Sequence, residues 1–299
     1  MKILLLGKNG QVGWELQRSL APLGEVVACD FDSPGDLQAD FAQPESLRAL
    51  VRRVRPDVIV NAAAHTAVDK AESEPELARA LNTTAPGVVA EEAAALSALL
   101  VHYSTDYVFD GSGEHPRDED APTAPLSVYG STKLEGEERI RDSGCRHLIL
   151  RTSWVYAARG GNFARTMLRL AAERESLNVI ADQIGAPTGA DLLADISAHL
   201  IGRLRLQPDL AGTYHCVAAG ETSWHGYARL VIAWAHAQGQ ALKTAPEAVH
   251  AIPTSAYPTA AQRPLNSRLS TARLQAAFGL RLPHWQAGVE RLLVELTGR

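Results

Sequence analysis

The chain of 299 residues has little cysteine. Cys29, Cys145 and Cys216 are its three thiols; they lie far apart, and no C-x-x-C pair occurs. An odd, scattered set excludes a disulfide framework and a redox dithiol, and leaves reduced structural thiols of the kind a cytoplasmic protein carries. There is no excess of positive charge. The formal net charge is −5, and the short basic group Arg52, Arg53 and Arg55 has acids nearby. A nucleic-acid partner is therefore not expected, and the basic group reads as a solvated helix face. Long apolar runs are absent as well. The run that follows Met1-Lys2 stops at Gly7, and no signal-peptide cleavage pattern succeeds it. The expected location is cytoplasmic, with no membrane partner. The ten histidines never cluster at ligand spacing, and there is no internal repeat or low-complexity linker.

What is present is ordinary globular composition, with 46% hydrophobic and 21% charged residues, enough for one large domain or a nucleotide-binding domain with a smaller partner. The first half alternates short apolar runs with helical spacing. Ile3–Leu6, Val26–Cys29, Val58–Val60, Leu99–His102 and His147–Leu150 read as strands. Gln11–Leu20, with apolar Val12, Leu16 and Leu20, and Ser46–Val54 read as helices. Ala78–Ala98 reads as a long alanine-rich helical stretch interrupted at Pro86-Gly87. Continuous apolar strands joined by helices predict an α/β fold, a doubly wound parallel sheet of Rossmann-like type with a second, smaller substrate-binding lobe. The expected dinucleotide-binding domain is 1–155, with 187–220 returning to it, and the lobe is 156–186 and 221–299. Proline and glycine cluster at Ile184–Gly189 and across Ile252–Asn266, and such irregular stretches in compact domains tend to be binding loops.

Four constellations carry chemistry. Gly7-Lys8-Asn9-Gly10-Gln11-Val12-Gly13 joins the first strand to the first helix with G-x-x-G-x-x-G spacing, which lets backbone approach a pyrophosphate at the helix N-terminus. Asp30 ends the second strand, where a carboxylate can accept from ribose hydroxyls and would repel a 2′-phosphate; no arginine follows to offset it, which favours NADH. Asp40-Phe41 could flank the adenine, or equally be a capping aspartate beside a core phenylalanine. Asn61-Ala62-Ala63-Ala64-His65-Thr66 follows the Val58–Val60 strand, and its small residues would let the coenzyme lie against backbone. His65, with no partner at ligand spacing, reads as a structural or cofactor-packing histidine. Tyr129-x-x-x-Lys133 puts a phenol and an ammonium one turn apart on one helix face. The ammonium would favour the phenolate and could also hold the nicotinamide ribose. Ser104-Thr105 comes directly after the Leu99–Tyr103 strand, where Thr105 could bond the carbonyl oxygen that Tyr129 protonates.

Together these residues resemble the extended short-chain dehydrogenase/reductase superfamily. Within it, Gly7–Leu16, Val60–Glu74 (VNAAAHTAVDKAESE), His102–Phe109 (HYSTDYVF), Arg151–Tyr156 (RTSWVY), Gly185–Gly189 (GAPTG) and Pro253–Leu269 look like the dTDP-4-dehydrorhamnose reductase family, nearly end to end. The resemblance implies a catalytic set of Tyr129, Lys133 and Thr105. It implies a dinucleotide site at Gly7, Gly10, Gln11, Val12, Gly13, Asp30, Asp40, Phe41, Ala63, Ala64, His65, Thr66 and Tyr103, and a substrate site at Val68, Thr105, Asp106 and Trp154. The implied cofactor is NADPH, with NADH also accepted, and the implied partner is a dTDP-sugar substrate, with the chain able to form a homodimer. Some members resemble Mg²⁺-linked dimers held by interface acids. The matching acids here are Glu15, Asp191 and Glu295, with Asp191 shorter than the glutamate usual there. Trp154, just past the His147–Leu150 strand, is expected to pack against the apolar face of a deoxyhexose. Ala186-Pro187-Thr188 and the loop from Arg263 to Arg268 are expected to supply polar and cationic groups to a diphosphate. Two other readings remain open at this stage: a related nucleotide-sugar epimerase or dehydratase with tightly bound NAD, and a non-catalytic regulatory subunit of the methionine adenosyltransferase type.

Overall fold

A computed structural model describes residues 1–298. Its central sheet has six parallel strands: β1 (Lys2–Leu6), β2 (Glu25–Cys29), β3 (Val58–Asn61), β4 (Leu99–Thr105), β5 (His147–Thr152) and β6 (Gly212–His215), in the order β6-β5-β4-β3-β1-β2. The strand residues explain why both faces are covered. Along β1, Ile3 and Leu5 enter one core while Leu4 and Leu6 enter the other, so a continuous apolar run satisfies a sheet buried on both sides. On the first face, Leu16 and Leu20 of α1 (Gln11–Leu20) pack with Leu193, Leu200 and Ile201 of α5 (Ala190–Leu204). On the second lie α2 (Pro44–Val54), α3 (Ala85–Leu96) and α4 (Val128–Asp142), through Leu47, Val51, Val89 and Ile140.

A separate core serves the rest of the chain. Tyr156, Met167, Leu177, Val179, Tyr227, Val231, Trp285 and Val289 gather helices Phe163–Glu173, Trp224–Ala237 and Trp285–Thr297 around the parallel pair Leu177–Ile180 and Val249–Ile252. Short two-residue strands tie this part to the sheet: Val155–Tyr156 pairs with Thr188–Gly189, and Ile184–Gly185 with Thr222–Ser223.

One expectation fails in an informative way. The helical path from Pro75 to Leu96 is not broken at Pro86-Gly87; its irregular part is a π turn over Ala80–Thr84, and Pro86 sits in the first turn of α3. A proline is tolerated there because the ladder has already been interrupted one turn earlier. The π turn also has a use. It holds the buried Asn82 where its amide bonds both the backbone of His65 (2.9 and 3.1 Å) and the hydroxyl of Thr132 on α4 (3.1 Å).

Candidate active site

From β1 the chain moves outward to β2, then returns to β3 on the other side of β1. Beyond the carboxyl ends of the strands at such a reversal, an open parallel sheet forms its crevice. A cleft of about 1050 Å³ lies there, lined from the β1–α1 turn at one end to Trp154 and Trp224 at the other.

The turn closes tightly. A Cβ at Gly13 would lie 1.9 Å from the Gly7 carbonyl oxygen, and Gly7 itself has φ +84° with Ala63 packed against it. Gly10 caps α1 with no side-chain acceptor, so the first N–H groups of a ten-residue helix are left for a ligand. These orphan donors in a cradle that admits no Cβ fit a dinucleotide pyrophosphate. Gly7, Gly10, Gln11 and Val12 line the cleft, while Gly13 lies under the turn. Asp30 also lines it, and its carboxylate accepts from the backbone N–H of Asn9 (3.0 Å) and of Phe31 (2.8 Å). Asp40 and Phe41 face the same end. Asp40 also caps the approach to α2 through Ala42 N and Gln43 Nε2, and Phe41 is a core residue. Ala63, Ala64, Thr66 and Val68 line the middle, together with Tyr103. His65 does not. It is buried behind the loop, bonded through its backbone to Asn82 and 3.4 Å from Glu74 through Nε2.

Ser127 caps α4 by accepting from Gly130 N (3.2 Å). A Cβ at Gly130 would lie 2.3 Å from the Tyr107 carbonyl oxygen, so glycine lets the helix start press against the segment after β4. That close approach puts Tyr129 beside Thr105. Burial pushes the Tyr129 phenol up to about 12, and the Thr105 hydroxyl partly opposes this. Desolvation is the largest influence on the phenol and the Thr105 hydroxyl is the one that lowers it; the lowering expected from Lys133 is not among them. Lys133 is itself 2% exposed, and burial lowers it to about 8 against the pull of Glu137. Asp106 is pushed up to about 6 by burial; Thr105 donates to its Oδ1 (3.1 Å), and its Oδ2 has no hydrogen-bond partner.

Trp154 has φ +49°, a strained backbone for a bulky side chain, and its ring stacks on Trp224 at 3.7 Å between centroids. The Trp224 indole N–H donates to Gln183 Oε1 at 3.1 Å, which fixes the pair as a preformed plate at the cleft wall. Trp154→Ala is expected to raise KM for the substrate about tenfold, the scale of one lost aromatic contact, with coenzyme affinity unchanged. Steady-state kinetics beside a thermal melt check this; a sharply lower Tm with intact kcat/KM would make the residue a core filler.

Arg263 does not reach the cleft. Its guanidinium is clamped on Asp69 (2.6 and 3.0 Å), tying the late loop to helix Val68–Ser73, and Arg268 is likewise held by Glu221. The free cation expected for a diphosphate is therefore spent on an ion pair. The three acids expected at a metal also face arginines: Glu15 meets Arg18, and Asp191 and Glu295 share Arg291. Among the described residues, no group of three His, Cys, Asp or Glu side chains could hold a metal ion.

Sequence reasoning missed Thr152 and Trp224. Thr152 stands opposite Thr105 in register across β4 and β5, is buried with an unpartnered Oγ1, and lines the cleft. The strand-end argument that found Thr105 could have found it. Trp224 lies 70 positions beyond Trp154 and carried no spacing signal.

Residues 1–297 match the family model described as RmlD substrate binding domain. The chain is 57% identical over 296 residues to a dTDP-4-dehydrorhamnose reductase of Salmonella typhimurium, covering 99% of this chain and 98% of that one. It superimposes with TM-score 0.86 on the solved dTDP-4-dehydrorhamnose reductase of Bacillus anthracis in complex with NADP, at 33% identity and covering 98% and 99% of the two chains. A Thermus thermophilus UDP-glucose 4-epimerase shares the fold, with TM-score 0.80 at 20% identity over 100% and 99% of the chains. Among the described residues no helix is long and apolar enough to cross a membrane. On the full-length family match and the identity to curated relatives, the chain belongs to the dTDP-4-dehydrorhamnose reductase family.

Proposed function

We propose that the chain reduces the 4-keto group of dTDP-4-dehydro-β-L-rhamnose to give dTDP-β-L-rhamnose, with NADPH as coenzyme and NADH also accepted. The observation that carries this reading is one cleft holding both an uncapped glycine-turn helix and the Tyr129–Thr105 pair, walled by the Trp154–Trp224 plate. NADPH, when bound, supplies the hydride that adds to C4. Tyr129 holds the proton destined for the C4 oxygen, because burial keeps its phenol neutral through the physiological range. Thr105 stands beside it as a second hydroxyl near the same oxygen, and its one proton, held on Asp106 Oδ1 here, turns to that oxygen when the sugar is bound. Asp106 Oδ2 and Thr152 Oγ1, both buried and unpartnered, are acceptors suited to sugar hydroxyls. Trp154 packs against the apolar face of the deoxyhexose.

The purified chain, given NADPH and dTDP-4-dehydrorhamnose, is expected to oxidise the coenzyme mole for mole with product, followed by absorbance. Tightly bound NAD with no net consumption would instead make it an epimerase or dehydratase, and no coenzyme turnover at all would make it a binding module.

The same assay tests the ribose end. The Asp30 carboxylate is already engaged by two backbone N–H groups, which blunts its repulsion of a 2′-phosphate and leaves room for both coenzymes. Asp30→Ala is expected to shift the ratio of kcat/KM values toward NADPH. An unchanged ratio would show that Asp30 serves the turn and does not meet the ribose.

A further inference from the structure

Lys133 rests on two buried side chains that the reduction above does not use. Its Nζ lies 2.6 Å from the Tyr103 carbonyl oxygen and 3.1 Å from His102 Nε2, and His102 Nδ1 lies 3.0 Å from Asn61 Nδ2. Asn61 is 1% exposed and His102 is fully buried. The three side chains are all but closed to solvent, so donors and acceptors must largely match within the row.

The proton positions are fixed from one end. The Ala63 backbone N–H can only donate, and it donates to Asn61 Oδ1 at 3.1 Å. The Asn61 amide NH₂ therefore faces His102, and His102 Nδ1 accepts from it. Burial keeps the imidazole neutral, well below the usual histidine range, so its single N–H sits on Nε2 and points at Lys133. At the far end, the Tyr103 carbonyl can only accept. A neutral lysine amine satisfies both neighbours, because its lone pair accepts from His102 and one N–H donates to Tyr103. An ammonium has no lone pair and meets the His102 N–H with another donor. Exchanging the imidazole tautomer moves that donor–donor contact to Asn61, and turning the Asn61 amide over moves it to Ala63. The conflict can be relocated along the row but not removed while Lys133 is charged.

We propose that Asn61 and His102 are positioning residues for the reduction, acting through Lys133 by presenting a fixed N–H that disfavours its ammonium. The proton that Lys133 gives up as pH rises goes to solvent, while Asn61 and His102 keep theirs. The other charged or titratable groups around it act separately. Glu137, one turn further along α4, favours the ammonium and is itself bound by Arg151 of β5 and by Arg141. Tyr129 lies one turn back on α4, and Tyr103 and Asp106 lie on and just after β4. The ammonium is the form of Lys133 that can hold the nicotinamide ribose and act on the Tyr129 phenol, so its loss with rising pH sets the basic limb of kcat/KM, and that limb shifts with the Asn61–His102 row. This deepens the reading of the site as a reductase, yet it can be read without substrate.

The test is a ¹³C NMR titration of the chain labelled at lysine Cε. Its lysines are Lys2, Lys8, Lys70, Lys133 and Lys243, so Lys133→Met assigns the resonance. In the wild-type chain Lys133 is expected to titrate at least one pH unit below the other four. Asn61→Asp supplies a carboxylate that accepts from both Ala63 and His102 Nδ1, which frees Nε2 to accept from the ammonium. The Lys133 midpoint is expected to rise by about one unit or more, and the basic limb of kcat/KM to rise with it. His102→Met removes the opposing N–H by a different route and is expected to raise the midpoint as well; it stands in if Asn61→Asp does not fold. His102→Gln, with one donor and one acceptor arranged like the neutral ring, is expected to hold the midpoint near the wild-type value. A wild-type Lys133 that titrates with the other lysines, or a midpoint that stays put in both raising variants, overturns the proposal. Because the titration needs no sugar, its failure is distinct from a failure of the substrate assay.

Discussion

Tyr129→Phe is expected to lose about 10²-fold or more in kcat while still binding coenzyme, the scale on which a positioned general acid acts. The structure sharpens this expectation in two ways. The phenol is half-buried in the cleft wall and desolvation holds it protonated, so the residue is the neutral donor needed at the C4 oxygen. Removing only its oxygen leaves the ring, which sits edge-on to Tyr107 at 5.4 Å between centroids, so the start of α4 should keep its place. Single-turnover reduction, coenzyme binding by fluorescence and a thermal melt together separate lost chemistry from lost structure. Near wild-type turnover with an unchanged melt would remove Tyr129 from the role. Thr105 alone would then have to carry the proton, which an aliphatic hydroxyl does poorly.

The largest stability effect is expected at Glu137. Its carboxylate is fully buried under the active-site end of α4, bound by Arg151 at 2.7 and 2.9 Å, by Arg141 at 3.1 Å and by Ser104 at 2.6 Å. Burial alone would lift its pKa, but the Arg151 and Arg141 guanidiniums and the Ser104 hydroxyl outweigh it and hold the group below the usual carboxylate range. A lowered folded pKa means that the stabilisation is fully present at neutral pH. It is lost only as pH falls below the ordinary carboxylate range and through the folded value. Glu137→Gln leaves the Arg151 guanidinium, 3% exposed, without its counter-charge. The expected cost is about 3–5 kcal/mol, the range for breaking one side of a buried pair. In a chain of this size that is a fall in Tm on the order of 10 °C. Replacing both Glu137 and Arg151 by leucine should recover much of the loss, because the penalty comes from the orphaned charge more than from the missing bond. If the double variant melts as low as Glu137→Gln, the pair is a true net stabiliser.

Local pattern was enough to place much of this. The glycine turn and the helix Gln11–Leu20 follow from spacing along a few residues, and so do the strands read as ending at Val60 and Tyr103, which run on to Asn61 and Thr105; those strands are short apolar runs with no competing helical reading. What was not legible depended on distance in the chain or on burial. Arg263 reads as a free cation until Asp69, on a helix 194 residues earlier, is seen to hold it. Thr152 gains its place only from register with Thr105, which no single segment states. The Tyr129–Lys133 spacing was visible, but the sign of the shift on the phenol was not, because desolvation of both groups is a property of the folded layers around them. Pro86 was read as a break because a proline's effect depends on where the ladder was last interrupted, and the π turn that interrupts it has no composition signature of its own.

That π turn makes the chain sensitive to length at one point. It holds one residue more than an α-helical path between Pro75 and Leu96 would need. Deleting any residue from Ala80–Thr84 would let the ladder close into regular α-helix. The segments on either side would stay nearly in phase, because the wide turn already takes up the extra residue, but the residues of the turn itself would be re-aimed. Asn82 would swing away from His65 and Thr132 together, unfastening the alanine loop and the tyrosine-bearing helix in a protein with more regular secondary structure than before. A gap of one position in this stretch would therefore count for more than most substitutions elsewhere, because it removes the wide turn that aims Asn82 while leaving the rest of the helix in place.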